Sequence, residues 1–188
     1  MLLSAVTAAD QKLVRTIAWD AGTHRPVRLA VTLEYVPPST LREQQEREKV
    51  KVIAKRKLVP MEDIDEINRA IEVVFYRLLA EAVRKITLPD EKPVTYRQMQ
   101  SLLSLSVDQV KAAGGLDTPF PLDSTDQTPL TEEQRKGCRD LKTLGDVAKE
   151  NVVYLIRNRS DFRDFITTII ADISYFQDEA WEDQLKNS

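Results

Sequence analysis

His24 is the only histidine in the chain and Cys138 the only cysteine. A catalytic dyad needs a base within reach of a nucleophile, and a zinc site needs several nitrogen or sulfur ligands. His24 stands in "DAGTHRP", beside Arg25 and Pro26, with no second histidine to share a proton or a metal. It reads as a solvated turn residue. Cys138 falls on one predicted helical face with Leu141 and Leu144, which suits a buried structural thiol. The acids of the last predicted helix, Asp161, Asp164, Asp172, Asp178, Glu179, Glu182 and Asp183, would bind metal only if they converged with other ligands. A solvated helix face accounts for them. "AAGGLD" is the nearest approach to a phosphate loop, but it lacks the Lys-Ser/Thr that would grip phosphate, so it reads as a helix stop. No catalytic, cofactor-binding or metal residue is assigned, and the chain is read as non-enzymatic, with no cofactor.

Two features speak instead of binding. The stretch "REKVKVIAKRK" carries Arg47, Lys49, Lys51, Lys55, Arg56 and Lys57, which could meet phosphates. Glu43, Glu46 and Glu48 precede them, so pairing along the helix explains the same charges. The net charge of -3 also argues against a surface built throughout for nucleic acid. The second feature is Phe162, Phe165, Ile166, Ile169, Ile170, Ile173 and Phe176, large apolar residues spaced by threes and fours. Burying each is worth about 1.5–3 kcal/mol. Most of this stripe is expected to pack on the rest of the molecule. Tyr175, Phe176, Trp181 and Leu185 near its end, with Phe120 elsewhere, are the expected partner-binding residues, since aromatic side chains dominate binding hot spots.

The elements that must position these residues follow from periodicity. "KLVRTIAW" and "VRLAVTLEYV" are rich in β-branched and aromatic residues, and Val27, Leu29, Val31, Leu33 and Tyr35 alternate onto one face. Together they predict a hairpin ended by "PPST". Thr40 and Glu43 have capping-box spacing and open a charged helix or arm that Pro60 ends. Ile64, Ile67, Ile71, Val74, Phe75, Leu78, Ala82 and Ile86 predict one long helix over 61–86 as the central strut. Short helices are expected over 95–104 and 107–113, the second capped by Ser106 and stopped by Gly114-Gly115. The proline-rich stretch 116–130 reads as a long irregular loop, a class often functional or mobile. Thr131 and Gln134 open a further helix to about Asn158, and Ser160 caps the last.

The predicted fold is therefore mainly α (α+β): a helical bundle-like domain with an N-terminal β-hairpin. Residues 1–38 form the hairpin region packed on the helices, 39–60 the charged arm, and 61–188 the helical domain with its loop at 116–130. A chain of 188 residues buries roughly 70% of its unfolded surface, enough for an unaided core. With one cysteine no internal disulfide forms, which suits a reducing compartment. "MLLSAVTAAD" lacks a basic n-region and reads as a loose terminus. No apolar run approaches the length of a membrane span. The expected location is the cytoplasm.

"LEYVPPS", "AVRKITLPDEKPVTYRQMQSLLSL" and "ENVVYLIRNRSDFRDFITTIIADISYFQDEAW" together resemble the tail assembly chaperones of long-tailed bacteriophages and prophages. The likeness spans about half the chain, through 27–38, 80–105 and 150–182. It implies a small, mostly helical protein of the host cytoplasm that binds the long helical tape measure protein and keeps it soluble until tail tube subunits polymerise around it. It implies a protein partner, the tape measure or another tail protein, and self-association into a homo-oligomer. Members often have a longer, frameshifted form, and the closing Lys-Asn of "LKNS" can be written in adenine-rich, slippery codons. The 116–130 loop and the 41–57 arm have no counterpart in the resemblance. The alternative, drawn from charge alone, is a nucleic-acid-associated regulator using the basic 47–57 segment. A third reading is an enzyme whose acids assemble only in three dimensions.

Overall fold

The computed structural model describes residues 13–21, 27–56, 64–135 and 140–176. Alternation of Leu29, Val31 and Leu33 toward one face makes the predicted hairpin, β1 (Val14–Ala21) against β2 (Val27–Glu34). Residues 22–26 between the strands, His24 among them, lie outside the described residues. The pairs run Val14↔Glu34 to Ala21↔Val27, so Trp19 and Ala21 join Leu29, Val31 and Leu33 in the core. The opposite face is polar. There Thr16 and Thr32 share a hydroxyl hydrogen bond of 2.9 Å, and Arg28 Nε donates to Asp20 Oδ1 at 2.7 Å.

The next helix, α1 (Pro38–Arg56), begins two residues before the predicted cap, because Pro38 already holds the backbone angle that a first helical residue needs. It crosses to α2 (Ile64–Ala82), against which it packs. Here the expected long helix is corrected. The chain leaves helix at Ala82 and runs without a turn into β3 (Val83–Thr87), which pairs antiparallel with β2. Ile86 continues the three-four spacing of α2, but "VRKIT" is rich in β-branched residues and β2 has a free edge of main-chain donors and acceptors to satisfy. A bulge between Thr32 and Leu33 lets the strand follow directly from the helix.

The expectation of a mainly α, helical bundle-like domain with an N-terminal β-hairpin is thereby overturned. The fold is α+β, with a three-stranded antiparallel sheet in the order β1-β2-β3 and helices packed on its apolar face. The hairpin is completed as a sheet only by a strand from the far end of α2.

The short helices α3 (Tyr96–Leu103) and α4 (Val107–Ala112) fall where predicted. Ser106 Oγ accepts from Gln109 N at 3.2 Å, and Gly114 and Gly115 carry the positive φ that stops α4. The 116–130 stretch is a hydrogen-bonded meander along the outer edge of β3. Phe120 N donates to Val94 O, Ile86 N to Leu122 O and Ser124 N to Arg84 O, while Phe120, Leu122 and Leu130 are buried.

The helix expected over 131–158 is two helices, α5 (Glu132–Arg135) and α6 (Leu144–Asn158). Thr143 and Asp146 form a capping box that starts the second. Gly137 and Cys138 lie outside the described residues. Finally α7 (Ser160–Ile170) has Arg159 at its N-cap position, without a side-chain cap, and Ser160 inside its first turn, and it ends at Ile170. Phe162, Ile166, Ile169 and Ile170 are buried under the sheet, and Trp19 meets Phe162 with ring centroids 4.6 Å apart. Most of the C-terminal stripe thus closes the protein's own core.

Candidate functional site

Of the residues expected to meet a partner, two are occupied internally. Phe120 is 6% exposed and lies edge-on to Tyr96 at 4.8 Å; Phe176 is 4% exposed and packs on Tyr35 at 5.5 Å. Both are therefore core residues. Tyr175 is exposed near Ile173, in the helical residues 174–176 that follow α7, with its carbonyl accepting from the Arg15 guanidinium. Trp181 and Leu185 lie outside the described residues.

Phe120 nevertheless belongs to the floor of a large apolar depression. Two adjoining hollows, of about 490 and 670 Å³, share Tyr96, Ala112, Ala113, Phe120, Pro121, Gln134 and Leu144. The larger runs between α4 and α6 and adds Leu105, Leu130, Val147 and Tyr154. Its shape is set by local features. Gly114 and Gly115 turn the chain sharply after α4, and Asn151 Nδ2 pins the floor by donating to Pro121 O at 2.9 Å. The start of α6 is held by Gly145 N donating to Asp126 O and Leu144 N to Thr128 O. On α6, Gly145, Ala148, Val152, Leu155 and Ile156 face the core. Leu144, Val147, Asn151 and Tyr154, spaced three, four and three, make a second stripe that faces the groove, and Tyr154 remains 41% exposed. That second stripe was present in the sequence. The core stripe masked it.

Two carboxylates at the rim are already engaged. Asp123 Oδ1 accepts from the backbone and hydroxyl of Thr125, and Asp126 Oδ1 accepts from Thr128 N. Hydrogen bonds from Thr128 hold the Asp126 carboxyl below the usual range, and burial raises the Tyr96 phenol above its own. The first is thus an ionised turn cap and the second a neutral wall. A second cleft, of about 310 Å³ between α2 and α6, is lined by groups that pair with one another: Arg77 with Glu150 at 3.6 Å and Lys149 with Glu81 at 3.5 Å.

Along α1, Lys49 pairs with Glu46 at 2.8 Å and Lys51 with Glu48, so part of the basic segment is neutralised within its own helix. Val50 and Ile53 stand exposed between these pairs. Among the described residues, no group of three or more His, Cys, Asp or Glu side chains could hold a metal ion. No described helix is long and apolar enough to cross a membrane.

No model of a known protein family matches the chain, nor does any curated protein or solved structure.

Proposed function

We propose that this protein is a non-enzymatic binding protein that seats an apolar helical segment of a partner chain in the groove between α4 and α6. The resemblance in sequence supplies the partner's class: the tape measure protein of a long bacteriophage tail, held soluble by a tail assembly chaperone in the host cytoplasm. The observation that carries the reading is the open groove with its α6 stripe, Leu144, Val147 and Tyr154. From 144 to 154 a helix rises about 15 Å, three turns, which matches an i, i+3/i+4, i+7 set of anchors on an incoming helix. Seating a few apolar anchors, each worth about 1.5–3 kcal/mol, against the loss of overall motion gives a hold that can be released. A chaperone that leaves before assembly ends needs that property.

Co-expression with a tape measure protein, taken from a neighbouring gene, is expected to raise that protein's soluble fraction. Tyr154→Glu combined with Val147→Lys alters only groove-facing positions, so it should leave the chaperone's thermal midpoint nearly unchanged and abolish the gain. An unchanged soluble fraction with the native chain, or a gain that survives the double substitution, would remove this reading.

A further inference from the structure

We infer that the outer edge of β1 is the interface between two copies of this chain, joined as a continuous six-stranded antiparallel sheet. This rests on the sheet alone and stands apart from the groove reading.

Tyr35 N donates to Leu13 O at 2.8 Å, and the same register continues through the hairpin. In an antiparallel ladder, residues that exchange hydrogen bonds alternate with residues whose main-chain groups point away. The N–H and C=O of Val14, Thr16, Ala18 and Asp20 therefore point out of the sheet, and among the described residues no backbone group pairs with them. The opposite edge is treated differently. At β3 the register is broken by a bulge, and residues 122–124 lie along the strand with Ile86 N bonded to Leu122 O and Ser124 N to Arg84 O. Bulges and covering loops are how solitary proteins blunt an edge. On β1 there is no bulge, proline, glycine or lysine in "VRTIAWDA", and the strand is rich in β-branched and aromatic residues.

One edge covered and one left open among the described residues specifies a pair rather than a fibre, because a second copy added at β1 leaves only covered edges outside. The strand is also self-complementary. Laid antiparallel about Ile17, Val14 falls opposite Asp20, Arg15 opposite Trp19 and Thr16 opposite Ala18, so no like charges meet and every outward-pointing residue finds a partner. A helical client offers no such ladder, and the occupant assigned is a second copy.

Sedimentation velocity on the full chain over a wide concentration series should show a species of about twice 21.5 kDa that dissociates on dilution. Ala18→Pro removes a donor the lone chain does not use, at a strand position where proline is tolerated. It should give the single-chain mass throughout, with the thermal midpoint that the native chain shows at a dilution where it is single. Should that variant fail to fold, amide exchange on the native chain decides the matter. Protection of Thr16 and Ala18 that grows with concentration, with Arg15 and Ile17 unchanged, supports the pairing. A native chain that stays single, a pair that survives Ala18→Pro, or a pair without protection at those amides would overturn it.

Discussion

Gly145 shows how little room the site's frame leaves. A Cβ built there would stand 2.7 Å from Asp126 O and 2.8 Å from Ser124 O, both backbone atoms of the meander that cannot swing aside. Elsewhere in a helix, glycine to alanine stabilises by roughly 0.5–1 kcal/mol through the unfolded chain. Here the sign reverses. Gly145→Ala is expected to destabilise by about 1–3 kcal/mol, the usual range for forcing atoms into a filled space. Urea denaturation checks it, and an unchanged or raised midpoint would mean that the 124–128 segment is not fixed against α6. In the sequence Gly145 is one glycine within a predicted helix. The contact that requires glycine is made by residues twenty positions away, which periodicity does not reveal.

At the scale of elements, the misread pieces share a cause. Ile86 fits the helical stripe of α2 and also the alternation of a strand, and a short apolar run cannot decide between them. The free edge of β2 decides, and that is a tertiary fact. The break before α6 was legible: Thr143 and Asp146 have the spacing of a helix start, as clearly as Thr131 and Gln134 do. That box carries a pH dependence. The Asp146 carboxylate accepts from the N–H groups of Lys142 and Thr143, both at 2.9 Å, and these bonds hold its pKa below the usual carboxylate range. A carboxyl depressed in the folded chain contributes its stability above the ordinary carboxylate pKa and loses it as pH falls through the lower, folded value. Asp146→Asn should therefore unfold at lower urea than the native chain at neutral pH. The gap should close in acid, once the native Asp146 is itself protonated. A gap of equal size at both pH values would assign the loss to packing instead.

Across the whole molecule, the sheet ties the two N-terminal strands to the strand that follows α2. β2 lies between β1 and β3, and β3 arrives only after both α1 and α2. The core is likewise shared. Trp19 sits against Phe162 and under the guanidinium of Arg159, 5.7 Å from the ring centre, while Tyr35 covers Phe176. Leu29, Val31 and Leu33 belong to the same buried cluster as Leu79, Leu155 and Ile166. Removing the hairpin strips one whole side from that cluster and leaves β3 with no strand to pair. A chain of residues 39–188 is therefore expected to keep much of its helical circular dichroism while losing a cooperative thermal transition and binding anilinonaphthalene sulfonate, the marks of a compact state without fixed packing. A sharp transition with no dye binding would show that the helices fold alone and that the hairpin is an appendage after all. The first outcome follows from the packing, because Trp19 of β1 lies against Phe162 and Phe165 of α7, and the truncation uncovers both.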